Sequence, residues 1–308
     1  MTSSNPSLES TRPPARRTEW IITLLIRVAG YLSIFYVALI SLFLLKEGLP
    51  ALTDVPLSSL AGKFWYPIEG YYSLWPLIFG SLTVTLGAAL FAVPLGLGTA
   101  IFLSEVAPKW VKETLKPLVE LLAGLPSVVL GFVGILVLSP FIRKAFDLPT
   151  GLTAFTGALL LGWAAIPTIV SIAEDALYGV PRSYREAALA VGATPWQVIW
   201  GVTLPAARSG VLTAVMLGIG RVIGETMAVM MVTGNAPVLP SGLGALFGPV
   251  RTMTATIASE MGEVATGSQH YQVLFLIGIV LFALSLIINI TAFMVSNRRT
   301  QRVERLLS

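Results

Sequence analysis

Six stretches of this chain are each long and apolar enough to cross a lipid bilayer. A hydrocarbon core of about 30 Å needs a helix of about 20 apolar residues. The stretches cover about residues 21–45, 74–103, 115–142, 152–172, 210–232 and 273–295. Their apolar residues run continuously instead of alternating, which fits helices and not barrel strands. Charged residues are only 12% of the chain, mean hydropathy is +0.81, and a soluble domain carries about 25% charge. The expected fold class is an all-α integral membrane protein with six transmembrane helices.

Composition also removes several functions. With no cysteine and a single histidine, His270, disulfide scaffolds, thiolate or paired-histidine metal sites and a cysteine nucleophile are excluded. Nothing assembles a nucleophile with a base, so no catalytic residue is expected. The net charge of +4 is scattered and does not suggest nucleic-acid binding.

Loop charges orient the chain. Thirteen Lys and Arg residues fall in the two termini and in the second-to-third and fourth-to-fifth connections, against five in the three other loops. The positive-inside rule places both termini in the cytoplasm, although Arg143 and Lys144 run against the trend. Residues 1–19, rich in Ser, Thr, Pro and Arg, read as a disordered cytoplasmic tail. The following run is too long for a signal-peptide core and no small-residue cleavage site follows, so it is an uncleaved first span. Residues 20–297 form the membrane domain, and 298–308 a second cytoplasmic tail.

The cytoplasmic segment 179–205 reads as two short helices. Ser183 and Glu186 have the spacing of a capping box, and Gly192 stands where a helix end takes positive φ. Thr194-Pro195-Trp196-Gln197 repeats the cap with proline at the first helical position, and Pro205 stops the second helix. Helices this short are unstable alone, and Ala187, Ala188, Leu189, Val198, Ile199 and Trp200 would be exposed. The unit needs a surface to rest on, either its own bundle or another protein.

Polar residues inside the spans mark the second region of interest. Arg221 and Glu225 in the fifth span are four residues apart, hence on one helix face and able to pair. Charges at that depth face a bundle interior or a solute path, so the two form either an anion relay, with Thr226 adding a hydroxyl, or a structural ion pair. Gly218, Gly220 and Gly224 permit close helix approach. In the third span Gly124 and Pro126 should kink the helix, Ser127 could line the resulting cavity, and Glu120 lies near the cytoplasmic end. Ser81, Thr83 and Thr85 read as hydroxyls bonded to their own helix. The outer connection, residues 234–270, is long enough to have a function. It holds a candidate short helix over 252–264, the docking point for a solute-binding protein or a plain solvated loop, and ends at His270, read as a local hydrogen-bonder.

Glu186-Ala187-Ala188, Gly192, Val202 and Leu204-Pro205 resemble the EAA signature of permease subunits of ABC importers, with Val202 where Ile is usual. Arg221-Val-Ile-Gly-Glu225-Thr-Met-Ala-Val, Thr233-Gly-Asn235, Glu120-Leu-Leu-Ala-Gly-Leu-Pro-Ser127 and residues 254–270 are similar to the phosphate-importer permease of the PstC type. The resemblance covers about residues 70–297 and implies the type I (MetI-like) importer fold, located in the bacterial inner membrane. It implies that Arg221 and Glu225 are the intramembrane charged pair tied to phosphate passage, and Thr226, Glu120 and Ser127 stand beside them as candidate residues of the substrate path. Glu186, Ala187, Ala188, Gly192, Leu204 and Pro205 would couple to an ATPase. Implied partners are a PstA-type permease, a PstB-type ATPase dimer and a PstS-type phosphate-binding protein. The chain has no P-loop motif, so ATP and Mg²⁺ belong to the partner ATPase and no cofactor is expected here. Permeases for sulfate, molybdate or another oxyanion are the nearest alternative. A self-contained ion-coupled carrier is more distant, and would more often show inverted repeats or paired broken helices.

Overall fold

The computed structural model describes residues 17–237, 239 and 242–307, so the expected tail over residues 1–16 lies outside the described residues. The chain divides into Met1–Lys46 and Glu47–Ser308. In the first unit, helix α1 (Arg17–Gly48) already begins at Arg17, inside the segment expected to be tail. The segment Trp20–Asp54 meets the length and apolarity of a span.

The second unit opens with two single helical turns, then a hairpin of β1 (Trp65–Tyr66) and β2 (Tyr71–Tyr72), antiparallel with Trp65 opposite Tyr72. Helix α2 (Trp75–Ile101) follows, with Pro76 in its first turn, where a missing N–H costs nothing. It runs into a π-helical turn, Phe102–Val106, and Pro108 closes the element.

The third apolar stretch is not one helix. Helix α3 (Lys109–Ala123) stops at Gly124, and Pro126 takes an extended conformation with ψ 135° before α4 (Ser127–Val133). Proline has no N–H for the i−4 carbonyl and keeps its predecessor out of the α region, so the expected kink is a complete break. The span that remains, Ser127–Ala145, comprises α4, a π-helical turn Gly134–Leu138 and α5 (Ser139–Ala145). Helix α6 (Ala154–Tyr178) is capped by Thr153, whose hydroxyl accepts from the Thr156 N–H.

The loop after α6 holds α7 (Arg182–Ala190) and α8 (Pro195–Val198), continued by a π-helical turn at Ile199–Thr203 and a short turn at Leu204–Ala206. The chain then bends by 73° into α9 (Arg208–Gly224). Pro205 lies in the first turn of that final piece, so the turn at Ala207, not Pro205 itself, ends the loop. The fifth apolar stretch is broken as well: α9 ends at Gly224, Glu225 is extended with ψ 129°, and α10 (Met227–Val232) starts after Thr226. Helix α11 (Met253–Glu260) and the last helix, α12 (Gln269–Leu307), complete the fold. The C-terminal segment expected as a tail is thus helical through Leu307. Among the described residues, five segments meet the length and apolarity of a membrane span, or six if the pair bent by 73° counts as one.

Lipid tails are as apolar as leucine, so helices in a membrane associate by close packing through small residues. The seam between α2 and α6 has this composition: Ala88, Ala92, Ala158 and Ala165 are buried among Val84, Leu161 and Ile169. On α9, Gly218 lies so close to α6 that a Cβ there would sit 2.4 Å from Ile169 Cγ1. Gly220 and Gly224 have open space around them, so only Gly218 of the three expected glycines sets a helix approach. A second cluster, with Trp65, Tyr72, Met253 and Leu274, closes the hairpin end of the bundle. The third, with Ala100, Leu177, Val180 and Ala214, closes the end carrying the α7–α8 loop.

Candidate functional site

Arg221 stands in the last turn of α9 and is half-buried. Its Nη1 donates to Thr168 Oγ1 on α6 at 3.0 Å, and its Nη2 to the Ala123 carbonyl at 3.1 Å. Ala123 is the final residue of α3, so its carbonyl is one of the acceptors that a helix C-terminus leaves without an intrahelical partner. A cation is favoured there by the helix dipole. Arg221 therefore holds the end of the interrupted third stretch to α6.

Glu225 faces the other way. Its Oε1 accepts from the Thr226 N–H at 3.1 Å and from the Ala228 N–H at 3.4 Å, capping α10 at the end where negative charge is stabilised. Its main-chain carbonyl accepts from Thr254 Oγ1 at 3.0 Å, and Thr226 Oγ1 donates to the Gly224 carbonyl at 3.1 Å. No ion pair joins Arg221 to Glu225 among the described residues, which corrects the expected pairing. The i, i+4 geometry needs a continuous helix, and the chain leaves the helix between the two residues.

The two interruptions lie against one another. Helices α4 and α10 pack so tightly that a Cβ on Gly131 would be 2.5 Å from Met231 Sδ and 3.3 Å from the Ala228 Cα. Ser127, half-buried, begins α4. Ser127, Arg221, Glu225 and Thr226 thus all belong to the pair of breaks, where backbone polar groups are freed. Such breaks persist in a bilayer only beside protein or an aqueous path.

Glu120 does not join them. It is exposed on α3 and lines a cleft of about 500 Å³ with Lys112, Lys116, Glu174 and Tyr178. Within that cleft Glu174, 1% exposed, takes Lys112 at 2.5 Å and Lys116 at 2.6 Å, and Lys116 also reaches Asp175 at 2.9 Å. Hydrogen bonding to Glu174 and then Asp175 raises the Lys116 pKa above the ordinary lysine value. Sequence reasoning misses these residues. The available signal is the i, i+4 lysine pair on an amphipathic segment, facing an acid in the last two turns of a neighbouring span.

In the α7–α8 loop, Gly192 has φ +88° with open space where a side chain would stand, and Thr194 and Gln197 form a reciprocal capping box. The first expected box is absent. The helix starts at Arg182 with Pro181 as its cap residue, which places Ser183 inside the first turn and leaves no side-chain cap. Glu186 and Ala187 are exposed, Ala188 is half-buried, and Leu189, Val191, Trp196 and Trp200 expose apolar surface. Val198 and Ile199, expected on that surface, are 5% exposed and pack inward.

At the hairpin end, the expected helix over 252–264 is α11, capped by Thr252 and buried through its first half. Its last residue, Glu260, accepts from Trp65 Nε1 at 3.0 Å and pairs with Arg251 and with His270 Nε2, the latter at 2.7 Å. His270 is the local hydrogen-bonder expected of it. Ser81 accepts from the Met253 N–H at 2.9 Å, so this hydroxyl bridges to α11 instead of bonding its own helix.

Residues 92–301 match the family described as binding-protein-dependent transport system inner membrane component. The chain belongs to that family. It is 42% identical over 246 residues, 79% of each chain, to the probable ABC transporter permease protein YqgH of Bacillus subtilis. It is 33% identical over 306 residues, 92% of each chain, to the phosphate transport system permease protein PstC of Mesorhizobium japonicum. Among solved structures, the MetNI methionine ABC transporter aligns with a TM-score of 0.57 at 21% identity, over 73% of this chain and 96% of that one. A bacterial alginate ABC transporter aligns with a TM-score of 0.59 at 18% identity, over 92% and 96%. These establish a multi-pass permease of the type I ABC importer fold, in a class that works with an ATPase and a solute-binding protein. Paired broken helices would by themselves have favoured an ion-coupled carrier. Family membership decides for the importer permease.

Proposed function

We propose that this chain is the PstC-type permease subunit of an ATP-driven phosphate importer. The observation that carries the reading is the setting of Arg221. Its guanidinium lies between two interrupted helices and is bonded to two neutral oxygens, not to a carboxylate. A dianion arriving there replaces neutral acceptors by anionic ones, adding charge–charge attraction to bonds that the guanidinium already assists. Glu225, held on the α10 N-terminus nearby in sequence, keeps the net local charge low, so the anion is bound in passing and not trapped. The relatives named PstC supply the choice of anion.

In this reading a PstA-type subunit completes the pathway, and a PstS-type protein delivers phosphate to the hairpin and α11 side. A PstB-type ATPase dimer, carrying ATP and Mg²⁺, docks on α7 and α8. The chain itself hydrolyses nothing. The loop and both termini face the cytoplasm of a bacterium, across its inner membrane. ATP-driven closure of the ATPase pair moves α7 and α8, and the spans switch their access from outside to inside around the Arg221 level.

Labelled phosphate uptake tests this, in cells lacking their own phosphate permease and supplied with this chain and its cognate partners, with excess sulfate present. Uptake that requires the chain and ignores sulfate is the expected result. Uptake suppressed by sulfate would keep the importer and overturn the cargo.

A further inference from the structure

Arg185 immediately precedes the exposed Glu186 on α7, but its own side chain turns inward. Its Nη2 donates to Glu105 Oε1 at 2.8 Å and to the Leu177 carbonyl at 2.8 Å. Glu105 belongs to the π-helical turn that ends α2, and Leu177 to the last turn of α6. Ser104 Oγ steadies the same carboxylate oxygen at 2.9 Å. The pair is well shielded, with side-chain exposures of 22% for Arg185 and 8% for Glu105. One guanidinium therefore fastens the loop helix to the ends of two spans.

That junction is well placed to transmit force. Helix α7 has nine residues, too few to stand alone in water, and Arg185 is its shielded polar anchor to the bundle. The elements it grips lead onward: α2 packs on α6, and α6 receives α9 at Gly218 and Arg221 at Thr168. Attraction in a buried ion pair is largely offset by desolvation, so its presence is weak evidence for a stabilising role. A directional link between moving parts is a use that this cost does not cancel. The π-turn at Phe102–Val106 is the kind of helix irregularity often found at functional sites.

We propose that Arg185 and Glu105 form the latch through which ATPase-driven movement of α7 reaches the spans. The proposal rests on reading α7 and α8 as the ATPase-docking loop. Coupling claims need coupling evidence, so the test uses the complete importer in proteoliposomes with its cognate ATPase, permease partner and binding protein. Two quantities are read for Arg185→Gln, Glu105→Gln, the double variant and Arg185→Lys. They are phosphate imported per ATP hydrolysed, and stimulation of hydrolysis by loaded binding protein. Each Gln variant should lose about tenfold in import per ATP, and the double variant should match the worse single within about twofold, as groups acting as one unit do. Arg185→Lys, which keeps a cationic donor, should stay within about threefold of the parent. The latch is overturned if either Gln variant keeps the parental ratio, if the two losses multiply in the double variant, or if the ATPase no longer co-purifies. Should the parent show stimulation but import no phosphate, the cargo reading fails separately. Loss of stimulation in the Gln variants then still supports the latch, and unchanged stimulation overturns it.

Discussion

Replacing Arg221 by lysine separates charge from geometry at the proposed anion site. The guanidinium spans from Thr168 Oγ1 to the Ala123 carbonyl, at 3.0 and 3.1 Å from two different nitrogens. A lysine ammonium keeps the charge but concentrates its donors at one point on a shorter reach, so it cannot reproduce the planar fork. Losing one hydrogen bond from a charged group to a resident acceptor costs about 1.5–3 kcal/mol. If the same fork contacts the passing anion, the loss in transport is of that size, about ten- to a hundredfold at 1.4 kcal/mol per decade. Folding suffers less, because the Ala123 carbonyl at a helix end can accept from water in the adjoining path. The assay is initial phosphate uptake in cells, normalised to the amount of chain that co-purifies with the ATPase. Arg221→Gln, which removes the charge, should fall below Arg221→Lys. Uptake by Arg221→Lys within twofold of the parent would refute the assignment of the fork to the anion.

Further expectations follow from neighbouring geometry. Glu225→Gln keeps an oxygen for the Thr226 and Ala228 N–H groups but loses the charge on the α10 N-terminus, worth about 0.3–1 kcal/mol. Assembly should survive and uptake should fall steeply, and normal uptake would remove Glu225 from the pathway. Gly192→Val meets no steric neighbour, so its cost is the positive φ itself, about 1–3 kcal/mol for a non-glycine residue. It should abolish stimulation of ATP hydrolysis by loaded binding protein, which a stimulation assay reads directly. Glu174→Gln leaves two lysines, 27% and 33% exposed, facing a neutral amide. Because solvent screens them, about 1–2 kcal/mol of stability should be lost rather than the 3–5 typical of a fully buried broken pair, seen as a lowered Tm in detergent. An unchanged Tm would mean that α3 is held to α6 by other contacts.

The apolar stretches, the loop and its glycine are legible in the chain because each has a local cause: run length for a span, positive φ for Gly192, a Thr-Pro-Trp-Gln order for the second cap. Ser183 shows the limit of such reading. Its spacing to Glu186 is right for a capping box, yet Pro181 starts the helix earlier and turns the same residues into an ordinary first turn. The cleft around Glu174 is hidden for another reason, since its partner Lys116 is 58 residues away along the chain, and no local pattern announces it.

The break at Glu225 is hidden more deeply and matters more. Residues 210–232 are apolar enough to continue as one helix and hold no proline, so the weaker stop signal of Gly224 with Arg221 in the preceding turn is masked by the apolar run. Local capping and one tertiary contact together hold the helix open there. The freed polar groups of the break are taken up by the Glu225 carboxylate on α10, by Thr254 on the Glu225 carbonyl and by Thr226 on the Gly224 carbonyl. On the other stretch, Pro126 forces a break that does have a local cause, and Arg221 takes up its exposed Ala123 carbonyl. The proline-driven break thus requires a donor that the second broken helix supplies. Arg221 and Glu225 do not pair: Arg221 serves the helix end before the break in the third stretch, and Glu225 the helix start after the break in the fifth. At the proposed anion site, Arg221 would therefore turn to an anion without first being separated from a carboxylate, giving up only the neutral Thr168 and Ala123 oxygens.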